Sequence, residues 1–250
     1  MSVGAFTWYD LATSDPAAAS AFYAGVVGWT AVPLDDKAYT LLKMADAALA
    51  GVHRMPDEVA ARGIPPHWSG HVEVADVDAS VAQAVAGGAA LRWGPSDIPD
   101  VGRFAVIADP AGAHLYLFTP SYEDHPPAPM SPGSVAWHEL HTPDPAAALA
   151  FYQTQFGWQE SRAFDMDLMG VYQLFAYDGS DRGGVMATGA GMTPHWLFYI
   201  AVEAIDAAAA RVMAGGGRVV HGPHEAPGGV WTLVGQDPQG GHFALVAPRR

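Results

Sequence analysis

Cysteine is absent from the 250 residues, which removes disulfides, thiolate metal ligands and a cysteine nucleophile. Positive charge is scarce. Lysine occurs only at Lys37 and Lys43, and 12 Lys and Arg stand against 26 Asp and Glu, a formal net charge of −14. Such a surface repels phosphate backbones and anionic bilayers, so nucleic acid and membranes are poor partners. No apolar run approaches the roughly 18 residues of a membrane helix. The first residues lack the basic start of a secretory signal, so the expected location is the cytoplasm. A phosphate-binding glycine loop, a dinucleotide fingerprint and a nucleophile elbow are missing as well. What remains is a chain half of whose residues are hydrophobic, enough for a sizeable core.

The chain repeats itself. Residues 6–29 read FTWYDLATSDPAAASAFYAGVVGW, and residues 135–158 read VAWHELHTPDPAAALAFYQTQFGW. At an offset of 129, Trp8 meets Trp137, Asp10 meets Glu139, Asp15-Pro16 meets Asp144-Pro145, and Phe22-Tyr23 meets Phe151-Tyr152. At an offset of 128, His67-Trp68 meets His195-Trp196, Asp109-Pro110 meets Asp237-Pro238, and His114 meets His242. Such self-similarity in register marks a duplicated module. The division is a first module over 1–120, a proline-rich linker over 121–133 and a second module over 134–250.

Each module reads β-α-β-β-β, then strand, helix and two strands. An aspartate before a proline predicts an N-cap with proline in the first helical turn, and Gly28 and Gly157 predict the helix ends. Strands are expected near 5–12, 38–45, 49–55, 68–75, 102–108 and 113–119, with counterparts near 134–141, 171–178, 184–188, 196–203, 229–235 and 241–247. Second helices are expected at 77–86 and 205–214. Asp-Pro-x-Gly joins the last two strands as a turn. Strand alternation then assigns faces. His67, Ser69, His71 and Glu73 lie together, as do His114, Tyr116 and Phe118.

The Asp-Pro helix with its Phe-Tyr and Gly-Trp, the Gly-Gly helix end and the final hairpin, all duplicated, resemble the vicinal oxygen chelate superfamily of glyoxalases, bleomycin-resistance proteins and dioxygenases. The repeated Trp-x-Asp/Glu-Leu is similar to a two-module branch with hydroxylase-like and glyoxalase-like antigen members. The resemblance implies an α+β fold of two tandem βαβββ-βαβββ modules, whose sheets form open barrels around ligand cups. It also implies a divalent metal held by His, Gln or Glu, with early and late ligands from different modules. Here those positions fall on Trp8 and Trp137, His71 and Tyr199, and Tyr116 and Ala244, so that one cup would hold Trp137, His71 and Tyr116 and the other Trp8, Tyr199 and Ala244. The indole offers no lone pair to a metal, so a metal cofactor is not supported at these positions and no metal ligand is assigned.

The resemblance therefore implies a small-molecule-binding protein with aromatic-lined cups and a planar aromatic or α-oxygenated ligand. The alternative is a metal-dependent lyase, isomerase or dioxygenase. Asp10 and Glu139, two residues beyond the tryptophans, are the candidate bases, since a carboxylate against an apolar cavity can take a proton or bind a hydroxyl. Trp8, Trp137, His71, Glu73, His114, Tyr116 and Tyr199 are the candidate ligand-binding residues. Each has a structural alternative in core packing or backbone hydrogen bonding. His138 and His141 bracket Glu139, but alternation sets His138 on the opposite face, so the three do not converge. His67 and His195 read as structural, and His221 and His224 as a loop or rim pair.

Overall fold

A computed structural model describes residues 3–34, 38–121, 131–189 and 191–250. Most of the proline-rich linker lies outside the described residues. The first repeat runs β1 (Phe6–Thr13), α1 (Pro16–Val27), β2 (Thr30–Leu34), β3 (Tyr39–Met44), β4 (Ala47–Arg54), the single turn α2 (Asp57–Ala60), β5 (His67–Glu73), α3 (Val77–Ala86), β6 (Ala90–Ile98), β7 (Gly102–Ala108) and β8 (His114–Pro120). The second runs β9 (Val135–Thr142), α4 (Pro145–Phe156), β10 (Gln159–Asp165), β11 (Val171–Tyr177), β12 (Ser180–Ala187), β13 (His195–Ala201), α5 (Ile205–Ala214), β14 (Arg218–Ala226), β15 (Val230–Gln236) and β16 (His242–Ala247).

The fold is α+β, with two eight-stranded sheets ordered β2-β3-β4-β1-β5-β8-β7-β6 and β10-β11-β12-β9-β13-β16-β15-β14. Among the described residues no helix is long and apolar enough to cross a membrane. The two Asp-Pro helices start as their sequence dictates. The Asp15 carboxylate accepts from the Ala18 amide and that of Asp144 from Ala147, each at 3.0 Å, and both helices close on a glycine with positive φ, Gly28 at 92° and Gly157 at 72°.

Compactness divides the chain differently from the repeat. One unit takes residues 3–8, 69–121, 138–189 and 191–196; the other takes 9–34, 38–68, 131–137 and 197–250. Each unit thus combines half of one repeat with the complementary half of the other.

The exchanged halves are held together inside each unit by one recurring chain of buried donors. In the first unit, Trp158 Nε1 donates to the Gly4 carbonyl at 2.6 Å, Trp196 Nε1 donates to Tyr152 Oη at 3.3 Å, and Tyr152 Oη donates to Asp109 Oδ2 at 2.9 Å. Asp109 Oδ1 accepts from the amides of Ala111, Gly112 and Ala113, which ties the Asp-Pro-x-Gly turn to itself. The second unit repeats the device. Trp29 Nε1 donates to Gly133 O, Trp68 Nε1 to Tyr23 Oη and Tyr23 Oη to Asp237 Oδ2, at 2.9, 2.9 and 3.1 Å. Tyr23 and Tyr152 have no exposed surface. Burial, reinforced by the neighbouring aspartate, pushes both phenols well above their ordinary range. The turn aspartates therefore both fold their hairpins and join two repeats.

Candidate functional site

In β9 the side chains alternate, so Glu139 and His141 share one face while His138 and Leu140 take the other. Glu139 is buried at 8% exposure. Its Oε2 accepts from Tyr172 Oη at 2.8 Å, and its Oε1 pairs with His141 Nε2 at 2.7 Å. The His141 ring lies parallel to His195, centroids 4.8 Å apart and planes within 4°. His195 is fixed by its own Nδ1, 2.9 Å from the Thr193 carbonyl.

A glycine makes room for this pair. β12 runs parallel to β9 with Gly184 opposite Glu139. A Cβ at Gly184 would lie 2.2 Å from Tyr172 Cζ and 2.5 Å from its Oη. The tyrosine can cross to the carboxylate only over a residue with no side chain.

The same unit presents an aromatic wall. β5 and β8 pair in parallel, with His71 opposite Tyr116 and Glu73 opposite Phe118. The His71 and Tyr116 rings stack at 4.5 Å, Tyr116 faces Phe104 at 6.2 Å, and Phe118 meets His71 edge-on at 6.0 Å. His71 and Glu73 are buried, at 5% and 7% exposure. His114 shares the Tyr116 face but is exposed at the start of β8. Trp8 ends the unit's 3–8 segment, half-buried.

His138, on the far face of β9, serves the core. It is 4% exposed, stacks on Phe6 at 4.1 Å and sets Nδ1 2.8 Å from the Arg182 carbonyl. Burial lowers its pKa to about 4, so the ring is neutral.

The second unit carries a related but poorer arrangement. Tyr39 Oη donates to Asp10 Oδ1 at 2.5 Å, and the Tyr39 ring stacks parallel to His53 at 6.3 Å. Gly51, opposite Asp10 on β4, leaves the space, since a Cβ there would meet Tyr39 Oη at 1.7 Å. Ala12 stands where the second repeat has His141. Trp137 packs against an apolar cluster of Leu197, Tyr199, Ala201, Ala244 and Val246, so the two tryptophans stand the other way round from the expected cups: Trp137 goes with Tyr199 and Ala244, and Trp8 falls in the unit of His71 and Tyr116. Tyr199 is in register with Ala244.

Sequence reasoning picked out Asp10 and Glu139 but missed the tyrosines that hold them. Tyr39 and Tyr172 differ by 133 positions, as do Gly51 and Gly184, and comparison at the offsets 128 and 129 passes over them. His221 and His224 form an exposed pair, 4.6 Å apart.

The donor chemistry does not fit a divalent metal. Among the described residues no three His, Asp or Glu side chains gather to hold one.

Residues 8–118 match the glyoxalase-like domain family, and residues 134–245 match the glyoxalase/bleomycin resistance protein/dioxygenase superfamily. The chain belongs to that superfamily, with two of its domains in tandem. It is 34% identical over 250 residues to the Mycobacterium tuberculosis protein named "Putative glyoxylase CFP32", covering 98% of this chain and 95% of the relative. To the anthracycline biosynthesis protein DnrV of Streptomyces peucetius it is 30% identical over 262 residues, covering 98% of this chain and 94% of that one. Among solved structures, the Mn(II)-bound glyoxalase from Novosphingobium aromaticivorans aligns with a TM-score of 0.68 at 17% identity, over 98% of this chain and 82% of that one. The 2,3-dioxygenase LapB from Pseudomonas sp. KL28 aligns with a TM-score of 0.69 at 14% identity, over 99% and 93%. At such identities the structural likeness speaks for the fold alone.

Proposed function

We propose that the first unit binds a planar, oxygen-bearing aromatic molecule, with Glu139 as the carboxylate that receives its hydroxyl. The observation that carries this reading is the Glu139–Tyr172–His141 arrangement, held in the same unit as the His71–Tyr116–Phe104 stack. Flat ring faces select a flat ligand, and a few fixed polar groups orient it. Tyr172 and His141 fix both oxygens of Glu139, so the carboxylate is oriented before a ligand arrives. One relative is named for the biosynthesis of anthracyclines, which are planar hydroxylated aromatics, and this agrees with the ligand class.

A second reading, metal-free proton transfer, draws on one further observation. Glu139 holds an imidazole at 2.7 Å, and that imidazole stacks on a second one. A proton taken by the carboxylate could pass to His141. A metal-dependent lyase, isomerase or dioxygenase is the less favoured reading, because the side chains do not supply a ligand set.

The test is a calorimetric titration with 2-naphthol. Glu139→Gln and His71→Ala should each weaken binding by about 5- to 150-fold, the range of about 1–3 kcal/mol for a lost buried contact. Asp10→Asn should change it by less than about twofold. If Asp10→Asn abolishes binding while the other two variants bind normally, the functional unit is the second one.

A further inference from the structure

We propose that Glu73 recognises a hydroxyl group on the ligand, by accepting its hydrogen bond on Oε1. This rests on the reading of the first unit as a small-molecule site. Glu73 ends β5 two residues after His71, so both project from the same face, and its partner across the ladder is Phe118. Only 7% of the residue is exposed. Among the described residues, the buried Oε1 has no hydrogen-bond partner. A buried carboxylate oxygen without a donor is a standing cost to the fold.

The second repeat shows that the fold does not need this group. Its counterpart, 128 positions on, is Ala201. The backbone around the two residues is alike. Gly4 N donates to Glu73 O and Glu73 N to Ala5 O, at 2.8 and 2.9 Å; Gly133 N donates to Ala201 O and Ala201 N to Ser134 O, both at 2.8 Å. Ala201 is 2% exposed and sits in an apolar cluster with Leu197, Tyr199, Ala244 and Val246. In the first unit the matching positions are Ser69, His71, Tyr116 and Phe118. One backbone thus accepts alanine at this place and elsewhere carries a buried carboxylate, one oxygen of which has no donor among the described residues. A carboxylate can only accept, so its missing partner is a donor. Between aromatic rings, the donor that suits a flat neutral ligand is a hydroxyl.

The experiment compares 6-hydroxy-2-naphthol, which has one hydroxyl for Glu139 and one for Glu73, with its monomethyl ether, which has one donor fewer, on wild type, Glu73→Gln and Glu73→Met. Wild type should prefer the two-donor naphthol by about tenfold or more, Glu73→Met should lose that preference, and Glu73→Gln, whose amide oxygen still accepts, should only weaken it. Glu73→Met keeps the volume and removes the unpaired polar group, so its Tm should rise, by about 2–4 °C for each kcal/mol recovered. A Glu73→Met that melts lower and keeps the naphthol preference overturns the proposal, for Glu73 would then be a structural group. If both probes bind wild type equally and the variants do not differ, the proposal falls while the aromatic site stands. If neither probe binds wild type, the reading of the first unit as an aromatic-ligand site fails, and the role of Glu73 fails with it.

Discussion

Acidification should destabilise this protein through His138. The ring is buried against Phe6, and its pKa is lowered from 6.5 to about 4 by loss of solvation, with the Arg182 charge acting in the same direction. In the unfolded chain the same imidazole takes its proton near 6.5. Between those two values the unfolded state holds more protons than the folded one, so stability rises with pH across the window. The contribution is complete above pH 6.5 and drains away as pH falls toward 4. A shift of this size is worth about 3 kcal/mol at most. His67 is lowered by burial too and adds in the same sense; Asp237, raised by burial, acts in the opposite sense.

Comparing wild type with His138→Gln cancels those shared terms and the changing net charge. Urea denaturation from pH 7.5 to 4 should give a stability difference that is flat above pH 7 and moves by about 2–3 kcal/mol in favour of the variant below it. Ring resonances of His138 should show no protonation until pH approaches 4. A difference that stays flat across the range, or a ring that titrates near 6.5, would refute the buried neutral imidazole.

Two further outcomes follow from the packing. Tyr152→Phe strips Asp109 Oδ2 of its buried donor and should lower stability by about 1–3 kcal/mol, read as a Tm loss of several degrees, and Tyr23→Phe should match it through Asp237; a melting point within one degree of wild type would show that the latch holds nothing together. Gly184→Ala places a Cβ against the far end of the Tyr172 ring and should swing that ring off Glu139, cutting 2-naphthol binding by about fivefold or more with little loss of Tm, while Gly51→Ala disturbs Tyr39 and leaves the titration unchanged.

The parts of the fold that were legible are those where local chemistry and burial agree. Asp-Pro starts, glycine ends and alternating apolar strands located the four long helices and the central strands, and helices Val77–Ala86 and Ile205–Ala214 fall where expected. The strands missed, β2, β6, β10 and β14, are the sheet edges. Exposure explains the miss: Gln159–Asp165 is almost wholly solvent-facing, and prolines interrupt the other three, so no alternation survives to be read. At the site, alternation along β9 correctly separated His138 from Glu139. It could not reveal that Tyr172, on another strand, reaches the carboxylate, because that depends on the glycine of a third strand. The repeat likewise showed what is duplicated, while the division into units is a matter of which halves pack together.

The two repeats differ where the fold is indifferent and agree where it is not. Trp–Tyr–Asp latches, Asp-Pro caps and the carboxylate–tyrosine pair over glycine are present twice. The face formed by β5 and β8 is polar and aromatic in the first repeat, with His71, Glu73 and Tyr116, whereas the matching face of β13 and β16 is Tyr199, Ala201 and Ala244. Folding requirements act equally on both halves of a duplicated chain, so they cannot account for a difference between them. Burying Glu73 and His71 opposes stability relative to the apolar set that the same backbone accepts. On the proposed function, a ligand binding the native state offsets that cost, since its binding energy adds to the native state alone. The division of labour, on the same proposed function, is between a unit whose polar face is kept for a ligand and a unit whose apolar face packs around Trp137.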